Sequence, residues 1–216
     1  MYIHEEKNFL SPEECDAIIK LGNSIPTQED KKLKTPDWID RTGTEGEHSS
    51  HRHRNRSYIF ADNDNTEMKK IWRKVETFIH ATNEKIWKFN IDRMFDRAEY
   101  CPYKVGDFFA KHVDDAGGDW VNHKFPVFGC SIILNDRDEW EGGDLAFPPA
   151  EYVIGRDGQV TKHMYEGYTT DQQQGSLYLY PTAFWHEVTP ITKGTRRSIV
   201  FWALSHAIGE PQEAGV

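Results

Sequence analysis

Cysteine is scarce in this chain of 216 residues, which holds only Cys15, Cys101 and Cys130. Three thiols at those separations make neither a disulfide framework nor a zinc-type spacing. They read as buried thiols of a reducing compartment, so a cytoplasmic location is expected. No run approaches the eighteen or more apolar residues of a membrane span. The start, Met1-Tyr2-Ile3-His4-Glu5-Glu6, has neither the basic opening nor the apolar centre of a signal peptide. Basic charge is also short, with 26 Lys and Arg against 35 Asp and Glu and a net charge of −9. That balance opposes a sequence-independent grip on phosphate backbones and demotes nucleic acid as a partner. Repeats and low-complexity segments are lacking as well. Aromatics are plentiful: seven Trp, nine Tyr and twelve Phe point to an aromatic core or a deep pocket. The length suits a single domain spanning 1–216 with a real core.

The first 86 residues read as helical and loop support. Tyr2 to Leu10 suggests a short strand. Ser11-Pro12-Glu13-Glu14 is a capping box with proline in the first turn. Cys15, Ile18, Ile19 and Leu21 then give a helix one buried face, and Gly22 is expected to stop it. From Gln28 to Arg56 the chain is polar and without period. Loops of that length are functional lids or disordered segments, and 28–56 is the lid candidate. His48, His51 and His53 alternate with Arg52, Arg54 and Arg56 there. Like charges oppose a cation at that place, so the run reads as a solvated loop. From Asn65 to Asn83, Met68, Ile71, Trp72, Val75, Phe78, Ile79 and Thr82 recur at helical steps. That stripe reads as scaffold.

After Trp87 the period becomes strand-like. Strands are expected at Trp87–Met94, Arg97–Tyr103, Phe108–Val113, Val127–Leu134, Asp144–Phe147, Glu151–Ile154, Leu177–Tyr180, Glu187–Thr189 and Arg197–Leu204. Short strands at this density, joined by Gly, Pro and Asp turns, predict a mainly β fold with flanking helices and a double-stranded β-helix (jelly roll) over 87–204. Gly155-Arg156-Asp157-Gly158 reads as a hairpin tip within an insertion from Pro148 to Gln174.

The chemistry centres on His112-Val113-Asp114. In an extended strand, side chains two apart share a face, so an imidazole and a carboxylate converge. Alone the tripeptide is weak evidence. His186 in Phe184-Trp185-His186-Glu187 is the best candidate for a third ligand. Two histidines and one carboxylate on one face of a metal form the facial triad of non-haem Fe(II) oxygenases.

Further motifs follow in order: Tyr103-Lys104-Val105-Gly106 before the triad's first members, Ser131-Ile132-Ile133-Leu134-Asn135 after them, then Glu141-Gly142-Gly143-Asp144-Leu145-Ala146-Phe147, and finally His186 through Trp202. This series resembles the Fe(II)/2-oxoglutarate-dependent dioxygenases, in particular the prolyl 4-hydroxylase-like branch. The resemblance runs from about Leu10 to Trp202 and is densest from Tyr100 onward.

The resemblance implies His112, Asp114 and His186 as catalytic metal ligands, Fe(II), 2-oxoglutarate and O2 as cofactors and cosubstrates, and ascorbate as a further reductant. It places a basic residue ten positions after the distal histidine, at Arg196. A planar guanidinium suits the far carboxylate of 2-oxoglutarate, making two parallel charge-assisted hydrogen bonds. Ser198 follows on the same face, Trp202 continues that alternation toward the site wall, and Arg197 points the other way. Tyr103 resembles the tyrosine that holds the cosubstrate, and equally fits a core aromatic with a satisfied hydroxyl. Relatives carry a tyrosine where this chain has Ile133, which leaves the far pocket to Arg196, Ser198 and Tyr103. A carboxylate at 114, where related halogenases have a small residue, implies hydroxylation, with release of succinate and CO2.

The expected substrate is a prolyl residue in a peptide or protein. The alternatives are a free amino acid or other small molecule, and a non-catalytic jelly-roll binding module. A zinc hydrolase accepts the same ligand types but has no need of Arg196 and Ser198. Gly142-Gly143 reads as a turn where backbone approaches another element.

Overall fold

The computed structural model describes residues 3–29, 52–114, 124–156 and 159–206. The first strand, β1, is short (His4–Glu6), and helix α1 (Pro12–Ser24) follows. Its start is a reciprocal cap: the Ser11 hydroxyl accepts from the Glu14 N–H, and the Glu14 carboxylate accepts from the Ser11 N–H. Gly22 does not end the helix. It lies inside α1, buried, where a Cβ would stand 2.3 Å from the Tyr100 ring. Its missing side chain lets the helix settle directly on the sheet.

Strands β2 (Gln28–Glu29), β3 (Arg52–His53) and β4 (Asn55–Phe60) come next. The 28–56 stretch expected as a loop therefore contributes strand at both ends. Residues 30–51, with His48 and His51, lie outside the described residues, as does the His53 side chain. Helix α2 (Thr66–Ile86) starts at Asn65, whose side-chain oxygen accepts from the Met68 N–H. Its buried face is Met68, Ile71, Trp72, Val75 and Ile79, the apolar stripe that the sequence shows.

Trp87–Met94 is not a strand; only Arg93–Met94 (β5) is. Lys88 adopts a left-handed backbone, and the Asn83 amide clamps both the N–H and the carbonyl of Phe89. Trp87 and Phe89 reach Phe128 from this bend, with ring centroids 5.0 and 5.2 Å away. Ring contact with Phe128 and the Asn83 clamp, and not strand pairing, fix the segment.

The remaining strands are β6 (Arg97–Lys104), β7 (Phe108–His112), β8 (Lys124–Ile133), β9 (Trp140–Gly142), β10 (Leu145–Phe147), β11 (Ala150–Arg156), β12 (Gln159–Tyr165), β13 (Tyr168–Thr169), β14 (Leu177–Pro181), β15 (His186–Val188) and β16 (Ile191–His206). The larger sheet runs β1-β14-β8-β16-β6-β4-β2, with β5 and β9 also paired to β16; the smaller runs β13-β10-β15-β7-β3. Their pairings are antiparallel, and the architecture is a double-stranded β-helix. Strands β11 and β12 form a separate hairpin from Ala150↔Tyr165 to Arg156↔Gln159. Its tip, Asp157-Gly158, lies outside the described residues.

The long strand β16 divides its side chains between two environments, as period-two alternation requires. Ile199, Phe201 and Ala203 join the core formed with α1 and α2, where Trp72 meets Phe201 edge-on at 5.1 Å. Arg196, Ser198, Val200 and Trp202 face the space between the sheets. Each large apolar side chain buried under the helices contributes about 1.5–3 kcal/mol. That packing holds the site-bearing strand in place.

Candidate active site

Strands β7 and β15 bring the two histidines together, because His112 and His186 are directly opposed in the antiparallel register. Their ring centroids are 4.2 Å apart. Asp114 follows beyond the end of β7, where its N–H donates to the Thr182 carbonyl. Its Oδ1 lies 3.5 Å from His112 Nε2 and 3.6 Å from His186 Nε2. One ligand atom from each of the three residues falls within 4.8 Å of the others.

The nitrogens turned away from that point are tied to backbone. His112 Nδ1 meets the Ala110 carbonyl at 2.8 Å, and His186 Nδ1 meets the Phe184 carbonyl at 2.9 Å. A carbonyl only accepts, so Nδ1 carries the proton and each Nε2 keeps its lone pair for the shared point. Phe109 stacks on His112 at 3.6 Å and fixes its plane. Trp202, expected as a wall of the cosubstrate pocket, lines it but commits its indole N–H to Asp114 Oδ2 at 3.0 Å. It is an orienting group for the carboxylate.

Burial drives His186 toward its neutral form, with its pKa pushed down to about 4; His112 adds to this and Asp114 opposes it. Burial acts the opposite way on Asp114, raising its pKa. The His186 and His112 imidazoles and the Trp202 N–H outweigh that and hold the carboxyl below the usual range. Both groups are thus in the protonation state that binds a cation.

Deeper in the same pocket is Arg196, only 1 % exposed. Its Nε donates to Gln172 Oε1 at 2.8 Å and its Nη1 to Ser198 Oγ at 2.9 Å. Its Nη2 is buried with no hydrogen-bond partner among the described residues. No carboxylate pairs with it there; the groups flanking the guanidinium are the rings of Tyr103 and Trp140, 5.4 and 5.7 Å away. A buried cation with an idle donor is costly unless an anion arrives. Arg197 faces away and pairs with Glu139 at 3.5 Å.

Tyr103 is buried, which pushes its hydroxyl up to about 12. The hydroxyl accepts from Arg54 Nη1 at 3.3 Å and keeps its own proton to donate into the pocket. Ile133 packs against Trp140, Leu145, Phe147 and Tyr180 in the apolar wall. The Gly142-Gly143 turn has positive φ at both residues, and a Cβ on Gly143 would meet Ile191 at 2.1 Å and Arg196 Cδ at 3.1 Å. Glycine here lets the turn close over the arginine.

Three contributors carried no motif. Gln172, which holds Arg196, lies in the aperiodic 148–174 insertion. Arg54 reads as part of a solvated charge run, yet it is 5 % exposed and donates to Glu99 at 2.7 Å. Its two-residue spacing from Arg56, just ahead of β4, is the available signal. Tyr180 lines the pocket, its ring 4.8 Å from His186.

A jelly roll that gathers two imidazoles, one carboxylate and a buried arginine around one pocket has the build of the non-haem iron oxygenases. The chain belongs to the 2OG-Fe(II) oxygenase superfamily, whose family pattern matches residues 98–204. A PKHD-type hydroxylase of Cupriavidus metallidurans is 32% identical over 117 residues, covering 52% of this chain and 42% of that protein. One of Shewanella oneidensis is 26% identical over 200 residues, 90% of this chain and 81% of its own. The chain thus spans less than half of the first relative. Among solved structures, a Pseudomonas putida prolyl-4-hydroxylase superposes with TM-score 0.63 at 13% identity, covering 95% of this chain and 93% of that one. A Trichoplax adhaerens prolyl hydroxylase, in complex with a hypoxia inducible factor oxygen degradation domain peptide fragment, gives 0.62 at 17%, covering 93% and 82%. These two likenesses concern the fold. No helix among the described residues is long and apolar enough to cross a membrane.

Proposed function

We propose that the protein is an Fe(II)- and 2-oxoglutarate-dependent dioxygenase that hydroxylates a prolyl residue in a peptide or protein. The observation that carries the reading is the buried Arg196 with its idle Nη2, in the same pocket as the His112, Asp114 and His186 cluster. Neutral imidazole nitrogens and an ionised carboxylate fit Fe(II). A buried guanidinium with no carboxylate partner among the described residues fits the far acid group of 2-oxoglutarate.

When bound, iron, cosubstrate and O2 supply the oxidation of an unactivated C–H, with succinate and CO2 released. The chain's own residues do the rest. The Ala110 and Phe184 carbonyls fix the tautomers of the two histidines, and Trp202 aims Asp114. Ser198 and Gln172 hold the Arg196 fork in one rotamer, and Tyr103 has a hydroxyl proton to offer at the pocket wall. Leu145, Val188 and Val200 line the pocket with apolar surface and exclude water.

The prolyl substrate is supported by the fold shared with prolyl hydroxylases, one of them bound to a peptide. Three buried free thiols suit a reducing, cytoplasmic setting. The test is incubation of the iron-loaded protein with 2-oxoglutarate and a peptide library, read as the gain of one oxygen by mass spectrometry. Oxygen gain on proline-containing peptides is the expected result. Turnover of free amino acids with every such peptide untouched would overturn the peptide assignment.

A further inference from the structure

A second chamber, of about 290 Å³, shares Arg54, His112, Asp114, Phe109 and Trp202 with the first but not Arg196, Ser198 or Tyr103. It is therefore the approach to the metal cluster from the side away from Arg196. Strands β4 and β6 form much of its wall, supplying Arg56 and Tyr58 from one and Arg97 and Glu99 from the other, with Tyr58 and Glu99 paired in register and Arg54 joining from just before β4.

Three guanidinium groups face a single glutamate in this chamber. Glu99 receives Arg54 at one oxygen and Arg56 at the other, so its charge is shared between two cations. Arg97 has no ion-pair partner among the described residues. Its guanidinium lies over the rings of Tyr58 at 4.7 Å and Phe95 at 4.9 Å, and its Nε is buried without a hydrogen-bond partner. Aromatic faces hold an arginine in place without neutralising it. The chamber's other carboxylate, Asp114, belongs to the metal cluster and is engaged by Trp202. A cationic excess lines this approach, in a chain whose net charge is −9.

We propose that this chamber seats a carboxylate of the substrate, with Arg97 as its principal anchor and Arg56 beside it. The proposal rests on the oxygenase reading above and adds the class of substrate: an acid-bearing molecule whose reacting C–H lies near its carboxylate. Two sources of that group are open to the same arginine fork. One is an Asp or Glu side chain beside the hydroxylated residue of a peptide; the other is the α-carboxylate of a free amino acid.

The experiment uses the full chain with Fe(II) and 2-oxoglutarate. Peptides with Asp or Glu next to proline are matched to twins with Asn or Gln, and free amino acids are matched to their amides. For whichever set turns over, kcat/KM for the acid should exceed that for its amide by about 10- to 100-fold, the scale of a charge-assisted pair. The difference should lie in KM. Arg97→Gln should bring the ratio within about threefold by raising KM for the acid alone, and Arg97→Lys should keep part of it. An acid-to-amide ratio within about twofold in the wild type, or one retained in R97Q, overturns the proposal. The visible charge-transfer band on anaerobic mixing with iron and 2-oxoglutarate is recorded for each variant. Its absence from the wild type would sink the oxygenase reading itself, whereas a normal band with a flat ratio sinks only the carboxylate subsite. Should R97Q lose the band through misfolding, the same ratio in R97K decides.

Discussion

Arg196 and Arg97 both offer a guanidinium to the space around His112 and Asp114, yet the fold holds them in different ways. Arg196 lies on β16, between β8 and β6 in the larger sheet, fully buried and fixed by Gln172 and Ser198 with one nitrogen left idle. Arg97 begins β6, is half-buried, and rests on two aromatic rings beside two further arginines. A ligand that never changes is matched by a single preorganised cation. A rim that meets a larger molecule carries charge in excess, in a place that water still reaches. On the proposed reading, the difference is that of an inner site built around one partner and an outer one that sets which substrates approach.

The comparison predicts that the inner site tolerates nothing. The largest effect should come from His186→Ala or Asp114→Ala, which remove a ligand from a three-ligand cluster. Iron binding and turnover should both fall below detection, measured by metal content and by succinate release. Next, Arg196→Met should weaken 2-oxoglutarate binding by about 100-fold or more, since the charge-assisted bonds are lost. The same change should raise the melting temperature of the ligand-free protein by a few degrees, because an unpaired buried cation is replaced by apolar volume. A fall in that melting temperature would show that Arg196 is already satisfied without an anion, and the contrast with Arg97 would collapse.

Smaller effects sharpen the picture. Trp202→Phe removes the N–H that aims Asp114 and should lower iron affinity by about 10- to 100-fold, by competition with a chelator. Gly143→Ala forces a Cβ against Ile191 at a positive φ and should cost about 1–3 kcal/mol in a denaturant titration. It should also weaken 2-oxoglutarate binding, because the same Cβ crowds Arg196.

Much of the inner site was legible because it is written in strand alternation. The 196, 198, 200, 202 series alternates along β16 onto one face, and Asp114, although it lies past the end of β7, still comes beside His112 as the two-residue spacing indicates. The helices were legible for the same reason, through the Ser11 capping box and the α2 stripe. The misreadings share another cause, which is tertiary contact overriding local pattern. Gly22 signals a helix end, but here it makes room for Tyr100. Trp87 and Phe89 look like strand residues, yet they are held in a bend by the Asn83 amide. Arg54 and Arg56 sit in a charge run, and Glu99, more than forty residues away, takes a hydrogen bond from each and helps make their burial tolerable. Gln172 has no periodic context at all; its partner is visible only once the chain is folded.

The central claim is that the buried Arg196 guanidinium and three converging ligands together form one seat for iron and 2-oxoglutarate. Anaerobic titration of Fe(II) and 2-oxoglutarate, followed by visible absorption, tests it directly. The wild type should develop the charge-transfer band, His186→Ala should not, and Arg196→Met should require about 100-fold more 2-oxoglutarate to reach it. A band that develops in Arg196→Met at the wild-type concentration would contradict the account.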